Sequence, residues 1–127
     1  MSRMKFGAFL APHHPIGEHP RLQYRSDLAL AEHLDALGFD EFWCGEHHST
    51  GWETIASPEM FLAAAGERTH RIMLGTGVIS LPYHHPFNVA QRMMNANGSS
   101  CRTPSCNCYR FRKNCRWRLP RPSALRG

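Results

Sequence analysis

No aspartate or glutamate follows Glu67 in this 127-residue sequence. No apolar run approaches the roughly 18 residues that a membrane-spanning helix needs, so an integral membrane protein is not expected. The start, Met1-Ser2-Arg3-Met4 leading into Lys5-Phe6-Gly7-Ala8-Phe9-Leu10, lacks a hydrophobic segment with a small-residue cleavage site, so no secretory signal is read there. Up to Met94 there is a single cysteine, Cys44, which suits a reducing cytoplasm better than a disulfide framework. Absent too are a His-Glu-x-x-His metal motif and the third glycine that a dinucleotide-binding loop would need.

What is present divides into two compositions. Residues 1–94 hold all ten acidic residues and seven of the fifteen Lys and Arg, a balance of −3. Residues 95–127 hold the other eight basic residues, no acid and four of the five cysteines, which brings the chain to +5. The break falls between Met94 and Gly98. The length suits one ordinary domain and not two.

The first part alternates strand and helix signals. Residues 5–10 are β-prone and are stopped by Pro12 and Pro15. A polar loop carrying His13, His14 and His19 runs to about Arg21. Leu30, Leu34 and Leu37, joined by Ala31, recur at helical spacing over 24–37, and Gly38 sits where a helix-ending glycine belongs. A second strand is predicted over 39–44. Ser57-Pro58-Glu59 then opens a helix over 58–68, with serine to cap, proline at the first helical position and an early acid to complement the dipole. Residues 72–79 read as a buried third strand, and Pro86 opens a third helix through Met94. The order βαβαβα with short connections predicts parallel strands joined by right-handed crossovers.

In such an array ligands bind beyond the carboxyl ends of the strands. Three histidine pairs, His13-His14, His47-His48 and His84-His85, each follow a predicted strand, so the fold brings all three to one face. Solvated loop histidine is the bland alternative. Strand ligands converge when they are two residues apart, because successive side chains face opposite ways. Adjacent histidines therefore offer one ring each, and no catalytic metal is expected. Gly75-Thr76-Gly77 lies within a strand and is a weak phosphate motif. Gly77 reads either as close approach of a flat ligand, as a backbone conformation closed to other residues, or as plain strand packing.

Met4-Lys5-Phe6-Gly7-Ala8-Phe9, Gly38-Phe39-Asp40-Glu41-Phe42-Trp43, Gly45-Glu46-His47-His48-Ser49, Ser57-Pro58-Glu59, Leu74-Gly75-Thr76-Gly77-Val78 and Ser80-Leu81-Pro82-Tyr83-His84-His85-Pro86 occur in this order. Together they resemble the opening of the luciferase-like flavin-dependent monooxygenases, nearest to their limonene monooxygenase group, over about residues 4–94. The resemblance implies an α/β fold of TIM type, here an incomplete (β/α)8 barrel with the first three βα units only, since a whole barrel takes about 250 residues. It implies reduced FMN supplied by a separate flavin reductase, and O2 used to oxidise a small organic substrate. A deazaflavin-dependent oxidoreductase of the same fold is the alternative, against which Glu46-His47-His48 and Gly51-Trp52-Glu53 weigh.

The first histidine of the family's Glu-His-His motif matches His47, which the resemblance makes the catalytic acid/base; imidazole titrates close enough to neutrality for that work. Thr76, Gly77 and Val78 match the segment that supports the flavin ring, where relatives often carry a non-proline cis bond, here expected between Gly77 and Val78. By itself the segment is expected to be inactive and poorly soluble, unless a homodimer pairs its open sheet edges.

After Arg92 the likeness stops. We read residues 95–127 first as out-of-frame sequence forming a disordered, irregular tail. A zinc module on Cys101, Cys106, Cys108 and Cys115 comes second, with spacings that match no common paired arrangement. A nucleic-acid-binding tail, with Tyr109, Phe111 and Trp117 among the basic residues, comes third.

Overall fold

His19 and Pro20 start the first helix earlier than the apolar spacing alone predicts. Proline fits the first helical turn because its missing N–H has no helical partner there, and His19 caps the end by accepting the Arg21 N–H on Nδ1 at 3.1 Å. The computed structural model describes residues 3–98 and the backbone of Arg110–Phe111. Its elements run β1 (Gly7–Leu10), α1 (Pro20–Leu37), β2 (Glu41–Cys44), α2 (Pro58–Gly66), β3 (Met73–Thr76), a 3₁₀ turn (Leu81–Tyr83), α3 (Pro86–Gly98) and β4 (Arg110–Phe111).

β1, β2 and β3 are parallel neighbours in sequence order, as βαβ units with right-handed crossovers require. The register Leu10↔Cys44↔Thr76 turns one set of side chains toward the helices, and Phe9↔Trp43↔Gly75 turns the other set away. On the helix side Phe42, Cys44 and Leu74 join Phe61 and Leu62 of α2, Leu28 and Leu34 of α1 and Met93 of α3 in one buried cluster. Among the described residues no helix covers the opposite side of the sheet, and Phe9 there is 59% exposed.

α1 buries Ala31 and Leu34 of the expected stripe and adds polar residues to it. Leu30 and Leu37 are exposed, whereas Gln23, Asp27 and Asp35 are buried beside Leu28, Ala31 and Leu34. Each polar member has a partner that apolar periodicity does not reveal. Gln23 Nε2 donates to the carbonyls of Pro15 and Glu18, both at 3.3 Å. Asp27 Oδ2 lies 3.0 Å from His14 Nε2. Asp35 accepts the backbone N–H groups of His70, Arg71 and Ile72 at 2.7, 3.0 and 2.6 Å. Gly38 then ends the helix at φ 84°, with the Phe39 N–H returning to the Leu34 carbonyl at 3.1 Å.

Other boundaries shift for local reasons. β2 begins at Glu41 because Asp40 is spent on the turn, where its carboxylate accepts the Phe6 N–H and pairs with Arg3. Ser57 precedes α2 as expected but forms no side-chain cap, and Glu59 in the first turn instead pairs with Arg92 of α3 at 3.2 Å. α3 continues to Gly98, past the break in composition. Two residues of the segment expected to be irregular, Arg110–Phe111, form β4 antiparallel to β3, as an open strand edge with unpaired N–H and C=O groups invites. The other residues beyond Gly98, with Cys101, Cys106, Cys108, Cys115, Tyr109 and Trp117 and the zinc, nucleic-acid and disorder readings, lie outside the described residues. Among the described residues no helix is long and apolar enough to cross a membrane.

Gly75 shows how tightly the face turned away from α1, α2 and α3 is tiled. A Cβ there would lie 2.6 Å from the Trp43 ring. Gly75→Ala is expected to cost about 1–3 kcal/mol through forced displacement of that ring, read as a lower urea midpoint. An unchanged midpoint would mean that the indole moves aside freely.

Candidate active site

β1 and β2 and the segment after β3 all discharge their loops at the carboxyl end of the sheet, and the histidine pairs come with them. The loops are stitched together by backbone: His14 N–H donates to Trp52 O at 2.8 Å, His47 N–H to Ile55 O at 3.0 Å, and His13 and Glu53 form an isolated antiparallel bridge. Ser49 sits between them with φ 58°, a left-handed conformation uncommon outside glycine.

The rings do not form one cluster. They divide among three carboxylates. Glu53, nearly buried, holds His47 Nδ1 at 3.0 Å through Oε2 and lies 3.4 Å from His13 Nδ1 through Oε1, while Thr50 Oγ1 donates to Oε2 at 3.2 Å. Asp27 takes His14. Glu46, with a side chain only 1% exposed, meets both His48 Nε2 and His84 Nε2 at 2.6 Å on the same oxygen. Its other oxygen accepts the Ser80 N–H at 3.0 Å. His85 stands apart: its Nδ1 accepts the Phe87 N–H at 3.3 Å at the start of α3.

Proton positions follow from what each partner can do. Arg92 Nη2 only donates, so the His84 Nδ1 that it meets at 3.1 Å accepts, and His84 Nε2 carries the proton toward Glu46. Burial pushes the Glu46 carboxyl up, but the donors from His48, His84 and Ser80 outweigh it and hold the group below the usual carboxylate range. Asp27 is raised, mainly by burial, which His14 offsets only in part. The Cys44 thiol is pushed up to about 12 by burial and by Asp27, so it is an inert core thiol.

His47 differs from the rest. Its side chain is 37% exposed and Nδ1 is held by Glu53, which leaves the Nε2 edge beside Gly45, where a Cβ would lie 3.3 Å away. Phe9 covers the same glycine and also Gly77, whose Cβ would meet the Phe9 ring at 3.2 Å. Exposed Val78 follows. A flat apolar rim with one imidazole at its edge results, suited to a planar ring that needs a nearby proton donor or acceptor.

Of the residues expected to bind a cofactor, Gly77 and Val78 thus lie at the open rim. Thr76 faces the helix layer, buried, with its hydroxyl making no hydrogen bond among the described residues. Two expectations are corrected. All peptide bonds among the described residues are trans, including Gly77–Val78; the Gly77 N–H continues the parallel ladder to Cys44 O at 2.8 Å, and a cis bond would add about 3–4 kcal/mol. Gly77 also lacks a positive φ, so an unusual backbone does not account for it; a Cβ there would instead meet Phe9 at 3.2 Å and Trp43 at 3.4 Å. Sequence reasoning assigned no role to Glu53 or to Glu46. For Glu46 a signal existed, since Glu46 and His48 are two residues apart and point the same way.

The sequence profile of the family described as luciferase-like monooxygenase matches residues 4–98. A 4-hydroxyprotoasukamycin monooxygenase of Streptomyces nodosus subsp. asukaensis is 65% identical over 92 residues, covering 72% of this chain and 25% of its own length. A limonene 1,2-monooxygenase of Rhodococcus erythropolis is 62% identical over 92 residues, covering 72% of this chain and 24% of its own. The oxygenating constituent of the 3,6-diketocamphane monooxygenase of Pseudomonas putida, a type II Baeyer–Villiger monooxygenase solved with FMN, superposes with a TM-score of 0.71 at 28% identity, covering 76% of this chain and 26% of its own. The chain therefore spans about a quarter of the length of the relatives it matches.

Proposed function

Because this chain belongs to the luciferase-like monooxygenase family, we propose that it supplies the flavin-facing first three βα units, residues 1–94, of a (β/α)8-barrel monooxygenase that uses reduced FMN and O2 to oxidise a small organic substrate. The observation that carries this reading is His47, half-open at the rim of Phe9, Gly45, Gly77 and Val78 with Nδ1 held by Glu53. The residues fit the group: two glycines without side chains and an exposed aromatic let a planar ring lie against the backbone. Bound reduced FMN would supply the electrons for oxygen activation.

The chain's own residues do the rest. Phe9, Gly77 and Val78 support one face of the ring and exclude water from it; Thr76 contributes backbone only. Glu53 keeps the Nδ1 proton of His47 in place, so that Nε2 is the atom that takes or returns a proton beside the ring. A separate flavin reductase as the source of reduced FMN, a cytoplasmic setting and a homodimer that covers the open β1 edge of the sheet belong to the same proposal.

The test is a chimera in which residues 4–94 replace the matching segment of the limonene-oxidising relative. The chimera is expected to bind reduced FMN and oxygenate, and binding a deazaflavin in preference to FMN would overturn the cofactor assignment. This chain alone, titrated with FMN, is expected to show no stable complex, and micromolar affinity would overturn the view that the remaining barrel is needed.

A further inference from the structure

Glu46, His48 and His84 converge in a way that the flavin reading does not use. We propose that these three side chains form a binding site for a divalent transition cation of the zinc type, with Glu46 Oε1 and the Nε2 atoms of His48 and His84 as ligands. The three atoms lie within 4.8 Å of one another. None of the three residues is among those assigned to the flavin ring, so the proposal stands independently of that reading.

The donor set is the first argument. Two imidazoles and one carboxylate with an open fourth position are a common way of holding zinc, and neutral imidazole suits zinc better than magnesium or calcium. The His48 ring is 32% exposed while the Glu46 side chain is 1% exposed, so one flank is open to water and the anchor is fixed. The second argument is geometry. Both ring nitrogens already point at one carboxylate oxygen at 2.6 Å. With metal bonds of about 2.0 Å, ligands of a tetrahedral ion stand about 3.3 Å apart, so each of the two nitrogen–oxygen pairs has to open by about 0.7 Å. The third is support from outside the ligands. The Ser80 N–H holds Glu46 Oε2, the kind of outer partner that orients a ligating carboxylate.

Arg92 sets the affinity. With the cation on Nε2, each ring moves its proton from Nε2 to Nδ1, with no net proton released. His84 Nδ1–H would then face Arg92 Nη2, donor against donor. Arg92 must swing off His84, and its contact with Glu59 at 3.2 Å gives it somewhere to stay. The guanidinium is thus a counterweight to metal binding, and an acceptor in its place is expected to tighten the site.

The test uses the untagged full chain with Cys101, Cys106, Cys108 and Cys115 all changed to Ser, because thiolates would compete for the ion. Titrated with Co²⁺, it is expected to bind one equivalent with d–d bands and no thiolate charge-transfer band. NMR of the same sample is expected to broaden the ring protons of His48 and His84 before those of His13, His14 and His47, which identifies the ligands without a ligand mutation. His84→Ala is expected to weaken binding at least tenfold and Arg92→Gln to tighten it about tenfold, in the range of outer-partner effects. Absence of a stoichiometric Co²⁺ complex, or broadening that begins at other histidines, would overturn the proposal. So would affinity unchanged in His84→Ala.

Discussion

Replacing Asp35 by alanine is expected to lower stability by about 2 kcal/mol, since it leaves three backbone N–H groups without the acceptor that binds them at 2.6 to 3.0 Å. An orphaned buried donor costs about 1–3 kcal/mol; the Ile72 N–H bond is fully buried, and those of His70 and Arg71 are partly buried. The residue belongs to α1, but its carboxylate organises His70, Arg71 and Ile72 immediately before β3, so the loss detaches a strand from a helix. The measurement is the urea midpoint followed by far-ultraviolet dichroism. A midpoint within experimental error of the parent would show that water replaces the carboxylate at no cost.

The same group predicts a pH dependence. Burial pushes the Asp35 carboxyl up, but the three backbone donors outweigh it and hold its folded value below the ordinary one. A carboxyl depressed on folding stabilises the fold fully above its unfolded value, about 4, and the contribution is lost as pH falls through the lower folded value. Asp35→Asn, which keeps an acceptor oxygen but cannot ionise, is expected to have a shallower acid limb in a plot of stability against pH. An identical limb in both proteins would assign acid sensitivity to other carboxyls.

The largest functional effect is expected at His47 and its support. In the chimera with the limonene-oxidising relative, His47→Ala should lower oxygenation by about 100-fold or more while FMN affinity changes little, in line with general acid/base contributions. Equal losses in both would sink the acid/base role. Glu53→Gln, which no longer requires the proton on His47 Nδ1, is expected to lower kcat more than it raises KM and to alter the pH profile of kcat. A Glu53→Gln variant with the parent's profile would reduce Glu53 to a packing role.

The parallel order of the three strands was legible from alternation and punctuation alone, as Gly38 and Pro58 illustrate. So was the gathering of histidines at one end of the sheet, because a βαβ array leaves the chain no other place for those loops. What escaped was pairing. Nothing in the spacing of α1 says that Asp35 faces inward, because its partners are backbone groups 35 to 37 residues away. His13 and His47 meet on Glu53 for the same reason: a carboxylate is shared by loops that are distant in sequence and close in space. The meeting of His48 and His84 on Glu46 escaped as well, because adjacency singles out histidine pairs and not Glu46 with His48.

β4 has a consequence for assembly. Arg110–Phe111 runs against β3 on the edge where a further parallel strand would add. That edge can hold one neighbour at a time. Any strand that extends the sheet in the parallel sense, whether from the same chain or from a second one, must first displace these two residues. The short antiparallel strand therefore acts as a removable stopper, held by few enough bonds to be exchanged and sufficient to keep β3 from templating unwanted partners.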